Sequence, residues 1–124
     1  MQRISTGSPF EKTMGYSRAV VKGPWCFVSG VTGYDYATMT IPDGVADQAR
    51  NCFRTIIWAL DQGGFRLQDL VRVQYTVTDA ALVDQLVPVL GEFLGEIRPA
   101  ATMVIAGLIR PEMKVEIEVT ALKE

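Results

Sequence analysis

The chain has 124 residues, which suits a single domain spanning 1–124. Its composition is 48% hydrophobic, enough for a packed core and too apolar for a disordered chain. The formal net charge is −2 and no Lys/Arg cluster stands out, so the sequence lacks the footprint of a nucleic-acid binder.

The absence of histidine excludes Ser-His-Asp and Cys-His catalysis and the usual zinc ligand sets. No metal or cofactor is expected, and acid/base chemistry falls to carboxylates, Tyr, Lys, Cys or water. Cys26 and Cys52 form no CxxC pair and read as core thiols of a reducing compartment. No apolar run reaches the roughly 18 residues of a membrane span, and the first ten residues lack a signal-peptide apolar stretch. The expectation is a soluble cytoplasmic protein.

Met1–Pro9 is polar with Gly and Pro and reads as an arm or edge segment. Tyr16–Lys22 and Trp25–Ser29 read as a hairpin turned at Gly23-Pro24. A loop of about a dozen residues follows, long enough to suggest function, with Tyr34 and Tyr36 either lining a pocket mouth or packing the loop. Asp43 is placed to cap a helix whose stripe is Val45, Ala49, Cys52, Phe53, Ile56, Ile57 and Leu60. Gly63-Gly64 ends it, and Trp58 lies off the stripe.

In the next strand, Val71, Val73, Tyr75 and Val77 share one face, with Arg72, Gln74, Thr76 and Thr78 on the other. Thr78 or Asp79 caps a second helix, which Pro88 is expected to kink or split. Two strands close the chain, "ATMVIAGL" and "MKVEIEVTA". The last alternates Val115, Ile117 and Val119 with Lys114, Glu116, Glu118 and Thr120, giving a dry face and a charged one. The pattern is α+β, and two helices can cover only one face of its sheet. The other face is expected to carry Arg18, Arg72, Gln74, Thr76, Glu116 and Glu118 and suits association.

Four segments in this order resemble the RidA/YjgF family, also labelled endoribonuclease L-PSP. They are "GYSRAV", "FVSG", "RPAATMV" and "KVEIEVTA". The resemblance implies a chorismate-mutase-like fold: a mixed six-stranded sheet with two helices on one face, three copies closing as a homotrimeric barrel. It also implies small-molecule pockets in the clefts between subunits. Well-studied members hydrolyse enamines and imines such as 2-aminoacrylate and 2-iminopropanoate to 2-oxo acids and ammonia.

Carried over residue by residue, Glu116 matches the glutamate that positions or activates water. Tyr16 matches a tyrosine that shapes the pocket, Ser29 and Gly30 match the "SG" turn, and main-chain groups of Ser29, Gly30 and Val31 are expected to stabilise developing charge. In "RPAAT" the family's carboxylate-binding arginine is replaced by Ala101, followed by Thr102. A methyl group cannot hold a carboxylate, and each lost charge-assisted bond costs roughly 1.5–3 kcal/mol.

Arg18, two residues after Tyr16, is either a replacement anion ligand or a partner for Glu116 or Glu118. Three readings follow: a deaminase or hydrolase acting on imine or enamine C–N bonds of an altered substrate; a non-catalytic metabolite-binding trimer; and, least supported, a ribonuclease. The ligand is expected to be a carboxylate or imine-type metabolite, with no nucleic acid and no membrane.

Overall fold

The computed structural model describes residues 1–124. In chain order the elements are β1 (Gln2–Ile4), α1 (Pro9–Met14), β2 (Ala19–Lys22), β3 (Trp25–Thr32), α2 (Val45–Gln62), β4 (Leu70–Val77), α3 (Val83–Leu94), β5 (Ala100–Ile105) and β6 (Val115–Leu122). They form one six-stranded sheet of order β1-β2-β3-β6-β4-β5. Only β4 and β5 run parallel, joined through α3; the other pairings are antiparallel, so the sheet is mixed as expected.

Alternation sets the two faces. Val73, Tyr75 and Val77 of β4 and Val115, Ile117 and Val119 of β6 are buried beneath α2 and α3. Helix α2 contributes Val45, Ala49, Cys52, Phe53, Ile56, Ala59 and Leu60 to the same core, and α3 adds Leu86, Val89 and Leu94. The two helices are locked together by stacking of Phe53 on Phe93, ring centres 4.5 Å apart. No helix is long and apolar enough to cross a membrane.

Several local expectations change. The N-terminal arm holds α1, an unpredicted third helix, begun by the Ser8 side chain accepting from Phe10 N–H and ended at Gly15 with φ 74°. β2 begins only at Ala19, so Tyr16 and Arg18 precede the strand. Gly44, not Asp43, occupies the N-cap of α2. Val71 is exposed, because a register shift between Leu70 and Arg72 turns Leu70 inward instead. Pro88 lies inside a continuous α3; the change of helix type falls upstream, where Asp79 caps a single 3-10 turn over Ala80–Leu82.

Candidate functional site

The site grows from an irregularity in β3. Between Val28 and Val31 this strand uses three steps where β6 uses two, from Val119 to Ile117. Ser29 and Gly30 therefore form a β-bulge within a strand and not a turn at its end. The bulge turns both carbonyls toward Arg18, whose Nη1 donates to Ser29 O at 3.1 Å and Gly30 O at 2.8 Å. The Ser29 hydroxyl donates to Ser17 O at 2.7 Å and closes the same corner.

Gly30 gives Glu116 its position. A Cβ at Gly30 would stand 2.6 Å from Glu116 Cδ and 2.8 Å from Oε1, so only glycine lets the carboxyl lie against the β3 backbone. Glu116 shares no ion pair or side-chain hydrogen bond with another residue. Its carboxyl faces a cleft of about 250 Å³, whose walls include Phe10, Tyr16, Tyr36, Ile109 and Met113. Burial pushes the carboxyl above its ordinary value of 4.5; the nearby Glu118 carboxylate pushes the same way, and Arg18 opposes both. Tyr16 is likewise raised by burial, with Arg18 opposing, so it stays a neutral phenol and a hydrogen-bond donor near pH 7.

Tyr16, Ser29, Gly30 and Glu116 thus meet in one cleft. Arg18 does not line it. The residue is fully buried behind the wall, its guanidinium 5.7 Å from the Tyr16 ring centre and 5.1 Å from that of Tyr36. It pairs with neither Glu116 nor Glu118. Val31 is fully buried and its carbonyl accepts from Cys52 Sγ at 3.2 Å. Ala101 and Thr102 are exposed on the edge strand β5, beyond β4 from Glu116, and Thr102 Oγ1 accepts from Arg72 Nη2 at 3.1 Å.

Sequence reasoning missed two polar residues that hold this corner. Glu11 accepts from Thr6 N–H, the Thr6 hydroxyl and Arg18 N–H, tying the N-terminal arm to the start of β2. Gln48, fully buried in α2, donates to Pro42 O and Glu112 O and accepts from Lys114 N–H. It thereby fixes the segment leading into β6 and Glu116. Gln48 falls among the apolar positions of α2, a signal of a buried polar hub. Both cysteines are buried and free; burial raises Cys26 to about 11 and pushes Cys52 higher still, so neither is a ready nucleophile. Tyr34 is buried with its hydroxyl donating to Glu112 at 2.8 Å, whereas Tyr36 lines the cleft.

This arrangement has close relatives. The Endoribonuclease L-PSP profile matches residues 6–123. The chain belongs to the endoribonuclease L-PSP family, of which RidA and YjgF are members. A solved member of the YjgF/YER057c/UK114 family from Mycobacterium tuberculosis is 40% identical, covers 98% of each chain and superposes with a TM-score of 0.90. RidA from a Psychrobacter species is 30% identical over 87% of this chain and 88% of its own, with a TM-score of 0.82. A RutC family protein of Pyrococcus horikoshii is 30% identical over 88% of this chain and 87% of its own. The RidA/YjgF fold expected from four short segments therefore extends over nearly the whole chain.

Proposed function

We propose that this RidA/YjgF family member is a hydrolase of imine or enamine C–N bonds, with Glu116 as its general acid/base. The observation that carries the reading is the unpaired Glu116 carboxyl, laid on Gly30 and facing the cleft with its proton affinity raised. An imine carbon takes up water while Glu116 accepts a water proton. The same carboxyl returns that proton to nitrogen, and the carbinolamine collapses to a carbonyl compound and ammonia. An enamine first tautomerises, taking a proton at carbon from water and losing one from nitrogen, and then enters as the imine. Tyr16 donates a hydrogen bond to the substrate, whereas the Ser29 and Gly30 carbonyls are engaged by Arg18 and Val31 lies buried behind the wall, so charge stabilisation falls to Tyr16 and Glu116.

The working assembly in this reading is a homotrimer whose clefts lie between copies, with Ala101 and Thr102 at the edge of the site. Ala101 supplies no carboxylate anchor, and the cleft walls within the chain are largely apolar and aromatic. The substrate is accordingly an imine-type compound other than 2-iminopropanoate. Ammonia release from 2-aminoacrylate, 2-iminopropanoate and imines with apolar substituents and no carboxylate tests this. The carboxylate-free compounds are expected to turn over fastest, with loss of activity in Glu116→Ala. Equal rates in wild type and Glu116→Ala would remove Glu116 from the chemistry.

Ala101 also favours a second reading, a metabolite-binding trimer without turnover. Stabilisation by ligands in a thermal-shift screen, with no ammonia release from any imine, would select it. Either way, Ala101→Arg is predicted to tighten binding of small carboxylates about tenfold or more by calorimetry.

A further inference from the structure

A second cleft, of about 440 Å³, lies between the loop after β3 and the face of α2 that carries Trp58. Its walls include Tyr34, Asp35, Tyr36, Asn51, Arg54 and Trp58. Asn51, Arg54 and Trp58 stand on one helix face at steps of three and four. Trp58 is 41% exposed, although α2 has an apolar stripe elsewhere to bury.

The two charges of this cleft are held by neutral groups. Arg54 Nη1 donates to Asn51 Oδ1 at 2.8 Å, and Asn51 Nδ2 in turn donates to Gly33 O at 3.0 Å. The guanidinium is therefore oriented by a neutral chain and its charge is not compensated. Asp35 Oδ1 accepts from Ala37 N–H at 3.0 Å, and the Asp35 backbone is bridged to Thr40. No ion pair joins Arg54 to Asp35 or either of them to another residue. One cleft thus presents a cation and an anion, each held by a neutral hydrogen bond and without an ion-pair partner in the chain, beside an exposed indole.

We infer that this cleft binds a zwitterion with a planar apolar side chain, that is, an aromatic α-amino acid. Arg54 takes the carboxylate, Asp35 takes the ammonium, and the ring lies against Trp58 and Tyr36. The volume falls within the range of small-molecule sites. Tyr36 is shared with the Glu116 cleft on its other side, but the inference does not depend on Glu116 chemistry.

The test is an amide-resolved NMR titration of the full chain with L-phenylalanine, 3-phenylpropionate and phenethylamine. L-phenylalanine is expected to bind at least about tenfold more tightly than either single-charge analogue, moving the Trp58 indole N–H and the Asn51 side-chain amide. Arg54→Gln and Asp35→Asn, both at exposed positions, are each expected to weaken it about tenfold, while Glu116→Gln binds it like wild type. Four results would overturn the inference: no shift at millimolar L-phenylalanine, equal affinity for all three compounds, unchanged affinity in either charge variant, or perturbations centred on Gly30 and Met113.

Discussion

Two carboxylates linked to the bulge, Glu11 through the Arg18 N–H and Glu116 through Gly30, respond to the fold in opposite directions. Burial pushes Glu11 up, but the Thr6 and Ser5 hydrogen bonds and the Arg18 charge outweigh it and hold the group below 4.5. Its stabilising effect is present above the unfolded value and lost as pH falls through the lowered folded value. Glu11→Ala should cost about 2 kcal/mol in neutral-pH denaturation, because Thr6 N–H and Arg18 N–H lose their acceptor, and the difference should shrink in acid. Glu116 has the reverse sign. Its contribution is fully present below 4.5 and is lost as pH rises through the raised folded value. Glu116→Gln should therefore raise the melting temperature at pH 7 and leave it unchanged at pH 3. The alternation of "VEIE" put Glu116 on the charged face and the family resemblance singled it out, but the placing of Arg18 was beyond both. Alternation applies within strands, and Arg18 sits just before β2.

At the scale of elements, long periodic segments were legible and short or interrupted ones were not. Strand β6 follows its apolar alternation, and helix α2 follows its stripe except at Ile57, which is exposed while Ala59 is buried in its stead. Helix α1 is too short for a stripe, yet its signature was present: Ser8, then Pro9 in the first helical position, then Glu11 in the first turn. The β3 bulge left no pattern beyond the "SG" pair. It decides the site, however, since it frees two carbonyls for Arg18 and sets Gly30 beneath Glu116. Gly30→Ala would collide only with the end of the Glu116 side chain, which can swing aside. Its expected effect is a stability change below about 1 kcal/mol with a displaced Glu116, read as loss of the raised titration in a carboxyl NMR experiment.

For the whole molecule, the outer sheet face is the surface that calls for a partner. Trp25 and Phe27 stack there with ring centres 5.9 Å apart while both stay exposed, and Val104 is exposed on β5. Apolar surface of this kind suits the proposed trimer. Phe27→Glu is predicted to shift light-scattering mass from three copies toward one without unfolding the chain. Within a protomer, Gln48 connects α2 to Pro42, Glu112 and Lys114. Replacing it by Leu strands two carbonyls and one N–H and should cost about 3 kcal/mol in urea denaturation. The family, and so the sheet topology, was legible from four motifs. The second cleft was not, because it depends on how a long loop folds back over α2.

The pH dependence of ammonia release from one imine substrate, in wild type and Glu116→Gln, tests the central claim most directly. Wild type should show an inflection above 4.5, at the raised titration of Glu116. The variant should lose that inflection and about 100-fold in rate. Matching profiles and rates in the two proteins would contradict the assignment of Glu116 as the acid/base.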